Sequence, residues 1–284
     1  MRRQQEETDF QEWAMARNKA TVYYAKSLND AIFHMKTVPQ LKIFGGCTTV
    51  QSLPPASLMI KNIADFSQIT KHEHYIEFGA GVTLSQILEL GEKRLPPLLY
   101  EAINTIGTPL IRNIATIGGN ICAEGIRHTL FAPLLALEAQ LEIHSATETV
   151  FMPVTQFTEI ENNKCLTRIR IPSGEWEISV FRRTDTGNKI MDDSASYCFL
   201  ANTQKGILTD VRIAFSGIIS IRSRELENNI IGTKLPLTEK AIQTMLIEAQ
   251  QIYETQADFF KNDINPLLEA QFLNLLNDSL LLLT

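Results

Sequence analysis

The chain has 284 residues, of which 44% are hydrophobic and 20% are charged, which is typical of a globular protein with one large or two ordinary domains. The formal net charge of −6 argues against nucleic acid as a partner, and no apolar run approaches the roughly 20 residues of a membrane span. The first 20 residues lack the apolar core of a secretory signal, so we expect a cytoplasmic protein without a membrane segment.

The first part of the chain mixes helical and extended patterns. The stretch "SLNDAIFHMKTV" predicts a helix that Ser27 caps, because Asp30 follows three residues later and an apolar stripe includes Ala31 and Met35. In "TLSQILELGE", Thr83 and Gln86 have the spacing of a capping box. Further helices are predicted in "LPPLLYEAINTIG" and "FAPLLALEA", and strands in "LKIFGG", "HYIEFGAGV", "QLEIHS" and "CLTRIRIP".

The pattern changes after Pro172, where the last of these strands is expected to end. Antiparallel strands are predicted in "EWEISVFRR", "SASYCFLANT" and "GILTDVRIAFSGI", the last two joined at Gln204, Lys205 and Gly206. Two long helical patterns, "LTEKAIQTMLIEAQQIY" and "NPLLEAQFLNLLNDSLLLL", close the chain. This change predicts two domains, residues 1–172 and 173–284.

Most candidate motifs for chemistry are weak. The cysteines at 47, 122, 165 and 198 are far apart, which argues against both disulfides and an iron–sulfur cluster held by this chain. The string "GAGVTL" has Leu84 where a dinucleotide-binding motif needs its third glycine. The "HEH" at 72–74 lacks a third ligand and is more typical of a solvated turn, so no metal site is predicted.

Two glycine pairs remain, in "KIFGGCTTV" and in "RNIATIGGN". Consecutive glycine N–H groups can form a concave anion site, and neighbouring hydroxyl and amide side chains add donors. Two such loops, brought together, could hold a pyrophosphate, with only Lys42 and Arg112 nearby as bases. By spacing alone, ordinary turns remain the alternative interpretation.

These residues resemble a known family, the flavin-binding subunit of molybdenum hydroxylases, which includes xanthine dehydrogenase and aerobic carbon monoxide dehydrogenase. The resemblance is carried by "FGGCTTV", by "RNIATIGGN" followed by "PLLALEAQL", and by "RIAFSGI" and "ENNIIG" in the expected order. It spans roughly residues 20–284.

The resemblance implies an α+β fold. It consists of an FAD-binding domain of the vanillyl-oxidase (PCMH) type, whose two α+β subdomains divide near residue 60, and a smaller C-terminal domain with a three-stranded antiparallel sheet and helices. It also implies electron relay: FAD receives electrons from iron–sulfur clusters of one partner subunit, a molybdenum cofactor subunit oxidises the substrate, and NAD⁺ or another acceptor takes the electrons. The chain would therefore act in a hetero-oligomer.

If the family's binding pattern applies to the matching positions here, residues 42–49 would wrap the diphosphate from one side and residues 116–120 would wrap it from the other. Apolar residues would pack on the flat rings. The predicted cofactor-binding residues are Lys42, Ile43, Phe44, Gly45, Gly46, Cys47, Thr48, Thr49, Ile106, Ala115, Thr116, Gly118, Gly119, Asn120, Thr129 and Leu166.

Two departures from the family pattern affect the flavin end. Thr129 stands where the family has an aspartate, and Arg182 or Arg183 stands where a lysine is usual. They bear on direct NAD⁺ reduction and leave open a scaffold subunit that has lost flavin. A stand-alone flavoenzyme is a further alternative, although no acid–base pair lies with the glycine loops in the sequence.

Overall fold

The computed structural model describes residues 20–61, 63–185, 191, 193–259 and 265–284. The first 20 residues, whose composition is unlike that of a secretory signal, lie outside this set except for residue 20. The strands are β1 (Thr21–Tyr24), β2 (Lys42–Phe44), β3 (Ala56–Met59), β4 (Ile69–Lys71), β5 (Tyr75–Gly79), β6 (Gln140–His144), β7 (Thr149–Pro153), β8 (Cys165–Pro172), β9 (Ile178–Arg183), β10 (Ser196–Gln204), β11 (Ile207–Ser216) and β12 (Ser220–Ile221). The helices are α1 (Leu28–Thr37), α2 (Leu84–Leu88), α3 (Pro97–Asn104), α4 (Pro109–Arg112), α5 (Ile117–Ile121), α6 (Phe131–Ala136), α7 (Arg224–Asn228), α8 (Glu239–Phe259) and α9 (Pro266–Leu281).

The strands form three sheets. The first is parallel, in the order β1-β3-β2, and α1 crosses over between β1 and β2. The second is antiparallel, in the order β4-β5-β8-β6-β7, and the third is antiparallel, in the order β12-β11-β10-β9. This mixture of helices and sheets confirms the α+β prediction at the level of fold class.

Local sequence signals place several elements as predicted. The Ser27 hydroxyl accepts the Asp30 N–H at 3.2 Å and begins α1, and Thr83 with Gln86 forms the reciprocal capping box of α2. Lys205 and Gly206 both have positive φ, 55° and 71°, which gives the two-residue turn that suits the right-handed twist of the β10–β11 hairpin.

The C-terminal sheet differs from the three-stranded prediction. A fourth strand, β12, pairs Ile221 with Phe215 and Ser220 with Ser216. The chain reverses at Gly217, whose N–H donates to the Ile219 carbonyl at 2.8 Å. Two residues are too few to show a period-two pattern, so this strand could not be predicted from the sequence.

The third sheet separates two apolar cores because side chains alternate along β10. Tyr197 and Phe199 face α8 and α9, where Phe272 and Tyr253 pack, while Cys198 and Leu200 belong to the core shared with the second sheet. The Tyr197 hydroxyl, although fully buried, pairs with Ser279 Oγ at 3.0 Å. Both faces of the strand are therefore buried, which explains its long apolar run.

On the second sheet, Arg170 binds Glu77 through Nε at 3.0 Å and Nη2 at 2.7 Å, and stacks on the Tyr75 ring. Burial by itself raises the pKa of the Glu77 carboxyl, but the hydrogen bonds and charges of Arg170 and His72 outweigh burial, so the pKa lies below its usual value. Because the folded-state pKa is lowered, this pair stabilises the fold above the unfolded pKa of Glu77 and the stabilisation is lost as pH falls through the folded pKa.

We therefore expect Arg170→Met to lower the free energy of unfolding by about 1–2 kcal/mol at pH 7. Urea unfolding should show that the difference from wild type begins to shrink as pH falls through the ordinary glutamate pKa of about 4.3, and is lost once pH is below the lowered pKa of Glu77 in the wild type. Arg168→Met is the matched control, because Arg168 lies on the same strand and approaches Glu142 only to 3.9 Å. A deficit that stays constant down to pH 3 would contradict the electrostatic explanation.

None of the helices in the described part of the chain combines the length and apolar character that a membrane crossing requires. Within the same residues, no group of three or more His, Cys, Asp or Glu side chains is arranged to hold a metal ion. In the "HEH" stretch, His72 pairs with Glu77 at 3.3 Å and the side chain of His74 is exposed.

Candidate functional site

A cavity of about 830 Å³ lies between the loop that follows β2 and the segment that contains α4 and α5. Every residue predicted from the sequence to bind the cofactor lines this cavity. They come from β2 and its loop (42–49), the turn after α3 (Ile106), the start of α5 (Ala115, Thr116, Gly118, Gly119 and Asn120), the segment before α6 (Thr129) and β8 (Leu166). The volume falls in the range of about 300–1,000 Å³ that is usual for small-molecule sites.

The two glycine motifs pack directly against each other at this cavity. A Cβ atom at Gly45 would lie 2.5 Å from the Thr116 hydroxyl, and one at Gly46 would overlap the Ile114 carbonyl oxygen. Only glycine allows the first loop to approach the second motif so closely. The predicted convergence of these two distant segments is therefore present in the fold.

The second glycine pair differs from the predicted open loop, because Gly118 and Gly119 lie in the first turn of α5. The Thr116 hydroxyl caps this helix by accepting the Gly119 N–H at 3.0 Å, and the Gly118 N–H donates to the Ala80 carbonyl at 2.9 Å. The Asn120 N–H donates to the Thr116 carbonyl at 3.0 Å. These three amides already have acceptors within the chain, so they do not form a second set of free donors for a phosphate. That residues 116–120 contact the diphosphate from their own side stays a prediction.

The first loop behaves in the opposite way. No backbone N–H of residues 45–50 donates a hydrogen bond to any residue in the described part of the chain. These residues line the cavity and are mostly half-buried, and Cys47 adopts a left-handed φ of 53° that turns the backbone. Unpaired, partly buried amides are costly, and a curved run of them is suited to an anion.

Among the described residues that line the cavity, positive and negative side chains are equal in number. The cations are Lys42, Lys164 and Arg183, and the anions are Glu124, Glu159 and Glu161. Lys42 Nζ and Glu124 Oε1 form an ion pair at 3.2 Å that joins β2 to the segment after α5. Arg112, the other base expected near the motifs, instead donates to the Ile106 and Gly107 carbonyls at 2.9 Å and braces the turn after α3.

Three of the cysteines, Cys47, Cys122 and Cys165, line the cavity. Burial raises the pKa of Cys122 to about 12, with a partly opposing effect from Arg127, and burial together with Glu142 raises the pKa of Cys165 to about 12. Burial also raises the pKa of Cys47. At neutral pH these thiols are protonated, so they are not activated nucleophiles.

Sequence reasoning missed part of the wall. The loop 159–164 before β8 lines the cavity, as do Thr108, Ile111 and His128. Residues 159–164 carry no motif, and only their polarity before a buried strand could have drawn attention. The structure also separates the two candidate arginines: Arg183 lines the cavity, whereas Arg182 Nη1 donates to the Phe181 carbonyl at 2.7 Å.

Comparison with known proteins agrees with this geometry. A family described as the FAD binding domain in molybdopterin dehydrogenase matches residues 16–174. The xanthine dehydrogenase FAD-binding subunit of Escherichia coli O157:H7 is 30% identical over 217 residues, covering 69% of this chain and 73% of the relative. The nicotinate dehydrogenase FAD-subunit of Eubacterium barkeri is 26% identical over 240 residues, covering 81% of this chain and 80% of that protein.

Among solved structures, carbon monoxide dehydrogenase from Hydrogenophaga pseudoflava shares the fold with a TM-score of 0.78 at 17% identity, over 93% of this chain and 95% of the matched chain. The class defined by the fold and the site is thus a protein that shares the fold of that chain and has a cavity of small-molecule size between the loop after β2 and the segment of α4 and α5. The chain belongs to the family of FAD-binding domains of molybdopterin dehydrogenases, and FAD is the cofactor of that family.

Proposed function

We propose that this chain is the FAD-binding electron-transfer subunit of a multisubunit molybdenum hydroxylase, and that the cavity described above holds the FAD. Its electrons would come from iron–sulfur clusters of one partner subunit, and a molybdenum cofactor subunit would oxidise the substrate. The acceptor would be NAD⁺ or another electron carrier. Family membership and relatives that are named as FAD subunits of dehydrogenases support this proposal.

The observation that carries the proposal is the run of unpaired amides at residues 45–50. A diphosphate offers only acceptors, and each N–H that meets it replaces a lost hydrogen bond to water with a charge-assisted one. The balanced charges of the cavity leave this neutralisation mainly to the backbone. The residues present therefore fit an FAD diphosphate on one wall of the cavity.

The other walls would hold the rest of the cofactor. Thr48 and Thr49 line the cavity beside the amides and would add hydroxyl donors. Ile106, Ala115 and Leu166 would pack on its flat rings and exclude water. The bound flavin supplies two-electron storage, while the protein's part is to position it and to set the charge around it.

We also propose the organisation that goes with this function. The FAD-binding unit would be residues 1–172, with a division near residue 60 between the parallel first sheet and the second sheet. Residues 173–284, which contribute the third sheet with α8 and α9, would be the C-terminal unit. A cytoplasmic location is supported by four cysteines that are all unpaired.

A titration of the purified full chain with FAD tests the central claim. We expect FAD fluorescence to be quenched with a Kd of about 1 μM or tighter, and riboflavin, which lacks the diphosphate, to bind at least about a hundredfold more weakly. Equal affinity for the two would mean that the amides of residues 45–50 do not hold a diphosphate. A chain that binds neither would support a scaffold subunit without flavin.

A second measurement locates the bound FAD. Cys47 and Cys122 are partly accessible and line the cavity, whereas Cys198 is buried elsewhere in the core. With FAD at about ten times its Kd, about one tenth of the cavities remain open, so N-ethylmaleimide should label Cys47 about tenfold more slowly. Cys122 is left out of the comparison, because its pKa of about 12 leaves too little thiolate to react. Peptide mass spectrometry gives each rate, and Cys198 after denaturation serves as the reference. Unchanged rates with FAD bound would place the cofactor elsewhere.

A further inference from the structure

The segment 127–130, between α5 and α6, contributes His128 and Thr129 to the cavity wall but not Arg127. The Arg127 guanidinium points away from the cavity, where it lies 4.4 Å from the centre of the Phe131 ring and donates to the Phe157 carbonyl at 3.3 Å. His128 and Thr129 line the cavity. The sequence alone did not single out His128 as a site residue.

This segment is held from both ends. The Arg127 N–H donates to the Gly217 carbonyl at 2.9 Å, which joins it to the turn between β11 and β12. The Leu130 N–H donates to Asn120 Oδ1 at 3.2 Å, which joins it to α5. The His128 carbonyl accepts the Phe131 N–H at 2.9 Å. The backbone that carries His128 is therefore fixed by the same motif that forms the cavity wall, and the side chain is presented in a defined place.

Within the residues that the structure describes, the imidazole of His128 has no hydrogen-bond partner. Neither of its ring nitrogens, nor the Thr129 hydroxyl, forms a hydrogen bond with any residue in the described ranges. Burial, and after it the charge of Arg183, lowers the pKa of His128. At neutral pH the ring is thus neutral, with one N–H donor and one nitrogen acceptor available to whatever occupies the cavity.

The chemistry of the neighbourhood suits the flavin ring better than the diphosphate. The amides of residues 45–50 already match the diphosphate on another wall, whereas the edge of an isoalloxazine carries both acceptors and an N–H donor, which a neutral imidazole can pair with in either tautomer. Arg183 beside it is anchored, with Nη1 on the Thr105 carbonyl at 2.8 Å and Nη2 on Asp185 at 2.8 Å, next to the apolar Ile106.

We propose that His128, which lines the cavity beside Thr129, hydrogen-bonds the isoalloxazine edge of the bound FAD. This inference rests on the proposed function. It assigns a direct cofactor contact to His128, whereas the neighbouring Arg127 contacts only protein groups behind the cavity wall.

The test compares two ligands that share the diphosphate and adenosine but differ in the flavin ring. We expect His128→Leu to weaken FAD binding by about fivefold while the affinity for ADP, measured by calorimetry, stays at the wild-type value. His128→Asn, which keeps one donor and one acceptor, should recover much of the FAD affinity. The visible absorption band of bound FAD should shift in His128→Leu and return toward wild type in His128→Asn.

His74→Asn is the matched control, because it removes an exposed histidine that does not line the cavity. Equal losses of FAD and ADP affinity in His128→Leu would show a merely structural role and overturn the inference. So would a wild-type affinity for FAD with an unshifted spectrum. A wild-type chain that binds ADP but not FAD would refute the proposed function itself. If the wild-type chain binds FAD but His128→Leu does not weaken FAD binding more than ADP binding, only the contact of His128 with the flavin is refuted.

Discussion

A Gly46→Ala variant is expected to lose at least about tenfold in FAD affinity and about 2–3 kcal/mol in the free energy of unfolding. The added Cβ would overlap the Ile114 carbonyl oxygen, which is backbone and cannot rotate away. The loop 45–50 would have to move off the second motif, and its free amides would move with it. FAD titration and urea unfolding measure the two losses.

Gly174→Ala provides the control, because a Cβ there would meet only Trp176 Nε1, at 3.9 Å, and the residue has no left-handed φ. We expect its stability to lie within about 0.5 kcal/mol of wild type. If Gly46→Ala matched Gly174→Ala in both measurements, the close approach of the two glycine motifs would have no energetic consequence, and the explanation of the first glycine pair would be wrong.

Glu227→Gln is expected to cost about 3 kcal/mol of unfolding free energy. Glu227 is fully buried, and its Oε1 accepts both Arg222 Nε at 2.8 Å and the Ile213 N–H at 2.9 Å. Arg222 also reaches Glu138 at 3.2 Å and the Leu135 carbonyl at the end of α6. Neutralising Glu227 leaves the buried Arg222 charge under-compensated at the junction between α6 and the third sheet.

Glu225→Gln is the matched change, since Glu225 lies on the same helix, α7, but is exposed. Thermal and urea unfolding should separate the two variants clearly, with Glu225→Gln within about 0.5 kcal/mol of wild type. A small effect of Glu227→Gln would mean that the network is replaceable by neutral hydrogen bonds, and that it does not join the two parts of the chain energetically.

Much of the secondary structure could be predicted because its signals are local. The Ser27 cap, the Thr83–Gln86 capping box and the Lys205–Gly206 turn depend on neighbours within three or four residues. Short elements could not be predicted in the same way. The two-residue β12 and the four-residue α4 are formed by pairing and packing with distant segments, which override weak local patterns.

It was also predictable that the residues around both glycine pairs lie together, since their motifs resemble those of a known family, and all of them line one cavity. That they bind FAD stays a prediction. Their roles were not predictable. Whether Arg182 or Arg183 reaches the cavity depends on the register of β9 against β10, and a shift of one residue reverses the faces. The presence of His128 in the wall depends on two hydrogen bonds from distant segments.

The sequence by itself determined where glycine is required and which segments flank it, because those are properties of single residues and their neighbours. Only the tertiary structure decided what each glycine pair does. Gly118 and Gly119 give their amides to Ala80 and Thr116 and serve close packing, whereas the loop after β2 keeps its amides unpaired at the cavity. A backbone N–H is available to a ligand only when no carbonyl or hydroxyl of the folded chain lies within reach, and that depends on residues far away in sequence.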